Sequence, residues 1–284
     1  MPVDITPAGG ELIAPGLVPL KELGGGLDYE AWLSFDESLL APVVVKQLRA
    51  ERATDPHTLS SYRRELAVMS SISHPGIARL FSYDDGCERP YLVIEHVDGP
   101  TLSSLIATHG YLPIHQLLPV AVDLASALHY LHGQGLSHLD LKPSNVVMGA
   151  PARLIDFSIA MSHDDAALLD HPVGSDEYMP PEQCEPGVRG APGPASDVWA
   201  LGATLFRAAA GYRAFDREPR WAQLTDEPKP LPDHVHPGVA EIILDCLAPD
   251  PAARPTPREV VDRVDPLMGT LPKARLAGFS LRRA

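Results

Sequence analysis

The densest chemistry in the chain lies in Ser137-His138-Leu139-Asp140-Leu141-Lys142-Pro143-Ser144-Asn145, where a carboxylate, an ammonium two positions on and an amide five positions on sit among apolar neighbours. A purely solvated loop would have no use for His138, Leu139 and Leu141, whereas functional residues concentrate in loops held by a rigid scaffold. Eleven residues beyond Asn145, Leu154-Ile155-Asp156-Phe157-Ser158 closes a strand-like run on another carboxylate. Asp156 and Asn145 together offer hard oxygen ligands suited to magnesium. Lys46 ends the apolar run Val43-Val44-Val45. If it points inward it needs an anionic partner such as a phosphate, because an unpaired buried ammonium is costly. Taken singly, three features are bland. A strand-end lysine usually snorkels to water, and Glu65 reads as a solvated helix glutamate. Gly24-Gly25-Gly26 reads as a tight turn, although glycines also let backbone N–H groups approach phosphate oxygens.

The elements that would carry these groups follow from periodicity. Short β-type runs over Val18 to Leu23, Tyr29 to Phe35 and Pro42 to Leu48 predict an antiparallel meander whose first turn is the glycine run. A dinucleotide-binding turn would lead into a helix instead, so that reading fails. Thr58 to Ser71 reads as a helix, and Ile77 to Tyr83 and Tyr91 to His96 as two further strands joined through Asp84-Asp85-Gly86. Beyond Val97-Asp98-Gly99 the period turns helical. Leu117, Ala121, Leu124, Leu128 and Leu131 share one helix face, with Pro119 expected to limit how early that helix becomes regular. Ser196 to Ala210 is a second strong helix, with Ser196 the expected N-cap and Gly211 just past its end. The fold class is therefore α+β: a small antiparallel β lobe with one helix, then a larger, mainly helical lobe.

The whole chain has 284 residues and a formal net charge of −14, with 45% hydrophobic and 21% charged residues. That composition is globular, and its acidic balance argues against nonspecific binding to nucleic acid or anionic membranes. No run approaches the length of a membrane span, no charged signal start is evident, and Cys87, Cys184 and Cys246 lack any paired spacing. A cytoplasmic location is expected.

The ordered series of motifs resembles the eukaryotic-type protein kinase family, in its bacterial serine/threonine branch, over about residues 17 to 267. It runs from Leu23-Gly24-Gly25-Gly26 through the strand ending in Lys46, Glu65, His138 to Asn145, and Asp156-Phe157-Ser158. It continues with Pro180-Pro181-Glu182, Ser196-Asp197-Val198-Trp199-Ala200-Leu201-Gly202 and Arg254-Pro255. The resemblance implies a bilobal fold: an irregular leader over 1–16, an N-lobe over about 17–95, a hinge at about 95–99, a C-lobe over about 100–267 and a basic tail over 268–284. It implies ATP and magnesium, or manganese, as cofactors and protein hydroxyls as substrates. Lys46 would hold the α- and β-phosphates with Glu65 fixing its ammonium. Asp140 would accept or orient the substrate proton, Lys142 would neutralise the γ-phosphate, and Asn145 and Asp156 would hold metal. By the same resemblance, Leu23, Ala31, Val44 and Val147 sandwich adenine behind the gatekeeper Ile94, with the backbone of Glu95 and Val97 pairing to the base. Glu182 and Arg254 match a buried ion pair, Asp197 a support of the catalytic loop, and Met69, Leu80, His138 and Phe157 an apolar spine between the lobes.

Departures from the family pattern carry further expectations. Tyr29 stands at the third glycine position, Ser158 replaces a glycine, Pro180 an alanine, and Leu139 the arginine that docks a phosphorylated activation segment. Residues 157 to 181 also contain no threonine, only Ser158, Ser162, Ser175 and Tyr178, so activity is expected without phosphorylation of that segment. The departures keep open a second class, an ATP-binding pseudokinase scaffold. A small-molecule phosphotransferase of similar fold fits the Pro181-Glu182 and Trp199 motifs less well. Asp164, Asp165, Asp170, Asp176 and Glu177 lie in the same stretch without a Lys or Arg, an expected attraction for substrates with basic flanks. Thr270 and Ser280, at the basic tail, are candidate autophosphorylation sites. Regulatory input is expected from a partner, a ligand or expression level.

Overall fold

In the computed structural model, which describes residues 13–269, the N-terminal strands are β1 (Leu17–Gly25), β2 (Tyr29–Asp36), β3 (Ala41–Leu48), β4 (Leu80–Asp84) and β5 (Tyr91–Glu95). They form one antiparallel sheet in the order β1-β2-β3-β5-β4. Side chains alternate across a strand, and this alternation sorts β3 by function. Val43 and Val45, fully buried, pack with Leu17 and Val93 on the outer face. Val44 and Lys46 fall on the other face, where register sets Lys46 opposite Ala31 and Leu92, and Val44 opposite Ile94.

Helix α1 (Pro56–Ser71) packs its buried residues Thr58, Tyr62, Glu65 and Met69, spaced by helical turns, toward that inner face. It begins two residues before the expected start because Asp55 accepts the Thr58 N–H at 2.9 Å and Pro56 suits the first turn. Strand β4 is shorter than expected and starts at Leu80. The backbone of Ile77 and Ala78 is used elsewhere: Ile77 N–H bonds His74 O in a turn, and Ala78 N–H bonds Leu154 O across to the second lobe.

The second lobe is built on α2 (Leu102–His109), α3 (Ile114–Gly133), α4 (His163–Ala167), α5 (Pro181–Cys184), α6 (Pro194–Ala210), α7 (Pro237–Cys246) and α8 (Pro257–Met268). Two small ribbons, β6 (Leu136–Ser137) with β9 (Met161–Ser162) and β7 (Val146–Val147) with β8 (Arg153–Leu154), bracket the loop that carries Asp140. Helix α3 runs through Pro119 and does not wait for it. Its buried stripe, including Leu117, Ala121, Leu124, Leu128 and Leu131, outweighs one lost backbone bond near the helix start. Ser196 is not the N-cap of α6 but the third residue of its first turn. The helix starts at Pro194, the Ser196 hydroxyl accepts the Gly193 N–H at 3.1 Å and donates to Glu182 at 2.8 Å, and Gly211 ends the helix with φ 82° as expected. Arg254 meets Glu182 at 2.6 Å with both side chains fully buried, and stacks over Trp199 at 5.1 Å. Among the described residues no helix is long and apolar enough to cross a membrane. The leader up to residue 12 and the tail from 270, with Thr270 and Ser280, lie outside the described residues.

Candidate active site

Lys46 Nζ lies 2.7 Å from Glu65 Oε1 and 3.2 Å from Asp156 Oδ1, so three residues from β3, α1 and the segment after β8 meet at one point. Neither Lys46 nor Glu65 is the solvated residue that each type suggests alone: the side chains are 15% and 1% exposed. Burial works against the ammonium, but the charges of Glu65 and Asp156 outweigh it and hold Lys46 protonated well above the usual lysine range. Burial also works against the Asp156 carboxylate, yet Lys46 and the Ser158 N–H hold it down to about 2.

The Asp140 loop hangs from Asp197 on α6. The Asp197 carboxylate accepts the His138 N–H at 2.9 Å and the Leu139 N–H at 2.7 Å, and it also meets His132 Nε2 at 2.8 Å. Leu139 is held at φ 65°, a conformation unfavourable for a branched side chain. The His138 and Phe157 rings stack edge to face at 5.1 Å, joining the loop to the core that holds Met69, with Leu80 packed against it. From this base Asp140 presents both oxygens: Lys142 Nζ donates to Oδ2 at 2.6 Å and the Ser175 hydroxyl donates to Oδ1 at 2.7 Å. Lys142 also donates to Ser175 at 2.7 Å. Asn145 Nδ2 donates to the Asp140 backbone at 3.0 Å, which turns its acceptor oxygen away from Asp140.

Above this floor, Gly24 and Gly25 end β1 and Gly26 opens the turn to β2. Gly24 has φ 116°, and a Cβ at Gly25 would collide with the Tyr29 carbonyl, so glycine is required there. Leu23 is half exposed at the end of β1, Ala31, Val44 and Ile94 share the inner sheet face, and Val147 on β7 approaches from the other lobe. Glu95 and Val97 lie at the crossing between the lobes. The Glu95 N–H is spent on Arg79 O at 2.8 Å, while its side chain binds Arg79 and Arg153. The charged residues singled out for chemistry thus form two groups, one around Lys46 and one around Asp140, joined through the contact of His138 with Phe157.

The arrangement fits a nucleotide and a divalent cation. Asp156 and Asn145 supply two oxygen donors, and no larger His/Cys/Asp/Glu cluster exists among the described residues. Two oxygen donors suit a hard divalent cation that takes its other ligands from elsewhere.

Several functional residues escaped the sequence reading. Ser175, read there only as a phosphorylatable serine, is hydrogen-bonded to both Asp140 and Lys142; its place seven residues before Glu182 was the available signal. Gln183 donates to Leu139 O at 2.7 Å and to Val173 O, and Gln223 donates to Asp176 O and Met179 O, clamping the segment from both sides. The five acids behind the expectation of basic-flanked substrates differ in their partners, and only Asp176 and Glu177 meet arginines. Asp176 is held by Arg220 at 2.7 Å and by Trp221, and Glu177 by Arg217 at 2.5 Å with Arg213 nearby. Asp165 is bonded to Ser162 and Asp170 to His171.

A family profile described as "Protein kinase domain" matches residues 19–264. The chain is 32% identical over 264 residues to "Serine/threonine-protein kinase PknB" of Mycobacterium leprae (strain TN), covering 84% of this chain and 41% of that protein. It is 31% identical over 243 residues to "Serine/threonine-protein kinase PknA" of Mycobacterium tuberculosis (strain ATCC 25618 / H37Rv), covering 81% and 56%. To "CBL-interacting protein kinase 31" of Oryza sativa subsp. japonica it is 28% identical over 229 residues, covering 78% and 51%. The chain thus spans about half the length of these curated relatives. With the motif order, the two-lobed fold and the site geometry in agreement with the profile match, the chain belongs to the protein kinase domain family.

Proposed function

We propose that the chain is a serine/threonine protein kinase that transfers the γ-phosphoryl group of ATP to protein hydroxyls. Its catalytic unit is residues 17–267, divided at about 95–99. The observation that carries this reading is the finished charge set: Lys46 paired to Glu65 at 2.7 Å, and Asp140 shared by Lys142 and Ser175 at 2.6 and 2.7 Å. Phosphoryl transfer asks a protein chiefly for positioning and charge neutralisation, and these residues supply both. Leu23, Ala31, Val44 and Val147 pack on the base, with Ile94 behind it. The Glu95 carbonyl and Val97 backbone bond its edge, and Gly24, Gly25 and Gly26 cover the phosphates.

Lys46 binds the inner phosphates while Glu65 fixes its ammonium. Asp140 orients the acceptor hydroxyl and takes its proton, and Lys142, two residues on, offsets charge on the transferred group. Asn145 and Asp156 would hold magnesium, or manganese, which supplies charge neutralisation on the phosphate oxygens. The relatives named as serine/threonine-protein kinases support the choice of acceptor. A cytoplasmic location, where ATP is abundant, and a regulatory protein partner belong to the same reading.

We further infer that turnover needs no phosphate on the activation segment. In place of a docking arginine, Leu139 packs, 2% exposed, with Met161 and Ala166 and against Ile159 and Leu169. An apolar plug orders this segment without a phosphate to neutralise. The test of the main reading is Asp140→Asn, assayed with labelled ATP on a generic basic protein and on small metabolites. The wild type should label protein only, and the variant should fold and bind ATP but lose transfer. Transfer by the variant at the wild-type rate would remove Asp140 from the mechanism, and labelling of metabolites alone would remove the protein substrate.

A further inference from the structure

Tyr29 opens β2, two residues before Ala31 and on the same inner face, beside Lys46 on β3. Tyr29 is 9% exposed, and Lys46 Nζ lies 4.4 Å from its ring centroid. An ammonium has three N–H groups. Glu65 and Asp156 accept from it at 2.7 and 3.2 Å, the π face of Tyr29 lies within cation–π range of it, and a phosphate oxygen would take the longer of the two bonds, the one to Asp156. The Tyr29 hydroxyl is buried, and the negative charge of Glu65 adds to that burial in disfavouring its ionisation. Neither that hydroxyl nor Glu65 Oε2 completes a hydrogen bond of normal geometry. A buried hydroxyl left unbonded is destabilising, so a phenylalanine would suit this position better if packing were its whole purpose. The neighbouring residue strengthens the connection: Asp28 accepts from the Thr58 hydroxyl on α1 at 3.1 Å and lies 3.6 Å from Arg52, while Arg49 Nε donates to Gly26 O at 3.0 Å.

We propose that Tyr29 is a positioning residue for ATP: its ring holds the Lys46 ammonium, and its hydroxyl closes on Glu65 as α1 approaches the sheet. The side chain thereby ties the glycine loop to α1 and steadies the Lys46–Glu65 pair for the phosphates. This rests on the kinase reading above and adds a residue that the family pattern, with glycine at this position, does not contain.

The experiment compares Tyr29→Phe, which keeps the ring and removes the hydroxyl, with Tyr29→Leu, which removes both. ATP binding is measured by calorimetry without metal, Michaelis constants for ATP and peptide are measured separately, and hydrogen exchange of α1 is followed in the nucleotide-free protein. Tyr29→Phe should weaken ATP about threefold, and Tyr29→Leu about ten- to thirtyfold. The peptide constant should stay unchanged and α1 should exchange faster in both. Wild-type ATP affinity and α1 exchange in both variants would overturn the proposal, as would tighter ATP binding by Tyr29→Leu, which would mark the ring as an obstruction. Exchange of α1 is read without nucleotide, so it decides the coupling independently of the kinase reading. A wild-type chain that bound no ATP would fail that reading by itself. If Tyr29→Leu melts early, Tyr29→Phe carries the test.

Discussion

Leu139→Ala tests whether apolar packing does the work of a phosphate in ordering the activation segment. Leu139 is 2% exposed against Met161 and Ala166, and it keeps its φ of 65° because Asp197 accepts its N–H at 2.7 Å and Gln183 donates to its carbonyl at 2.7 Å. The substitution leaves those backbone bonds in place and removes three carbons. At about 0.8 kcal/mol per buried methylene the loss is about 2.4 kcal/mol, near the low end of the 2–5 kcal/mol seen for such truncations. Spent on local opening, that energy raises the open fraction of the segment roughly sixtyfold, at 1.36 kcal/mol per tenfold. Hydrogen exchange over residues 157–180 should quicken by tens of fold, and kcat/KM for a peptide should fall by about an order of magnitude or more. ATP affinity should hold within about twofold, since Leu139 touches none of the residues assigned to the nucleotide. Phosphatase treatment of the wild type should leave its rate nearly unchanged. Unaltered exchange and turnover in Leu139→Ala, or a tenfold loss on dephosphorylating the wild type, would refute the reasoning.

Glu182→Gln strips the charge from a pair in which both side chains are fully buried, leaving Arg254 uncompensated at a cost of about 3–5 kcal/mol. For a domain of this size that is a fall in Tm of about 6–20 °C, and a calorimetric scan showing no change would sink the argument. Asp156 has its folded pKa held down to about 2, below its unfolded value of about 3.9. Its contribution to stability is therefore full above the unfolded value and lost as pH falls toward 2. The melting-temperature gap between wild type and Asp156→Asn should be constant from about pH 7 to 5 and shrink from about 4 to 2. A gap independent of pH would contradict the ion pair with Lys46.

The amino-acid sequence determined the kind of chemistry and its local carriers. Asp140, Lys142 and Asn145 lie within six residues of one another, and alternation along Val43 to Lys46 already separates an outer face from an inner one. Motif order then brought in Glu65, Asp156, Glu182 and Arg254, which no short-range pattern connects. Where local and tertiary demands competed, tertiary packing won. The buried stripe of α3 carries the helix through Pro119, the Ser196 hydroxyl serves Glu182 and not only a helix end, and Ile77 gives its backbone to a turn and the second lobe. Where no motif connects two residues, only the folded chain decided who pairs with whom over long separations. Asp176 and Glu177 look free in sequence because Arg213, Arg217 and Arg220 lie about forty residues away, and they are paired because the fold returns that segment to them. Ser175 reaches Asp140, and Tyr29 covers Lys46, for the same physical reason. Hydrogen bonds and ring contacts act over a few ångströms of space, and separation along the chain says little about that distance until the strands and helices have packed.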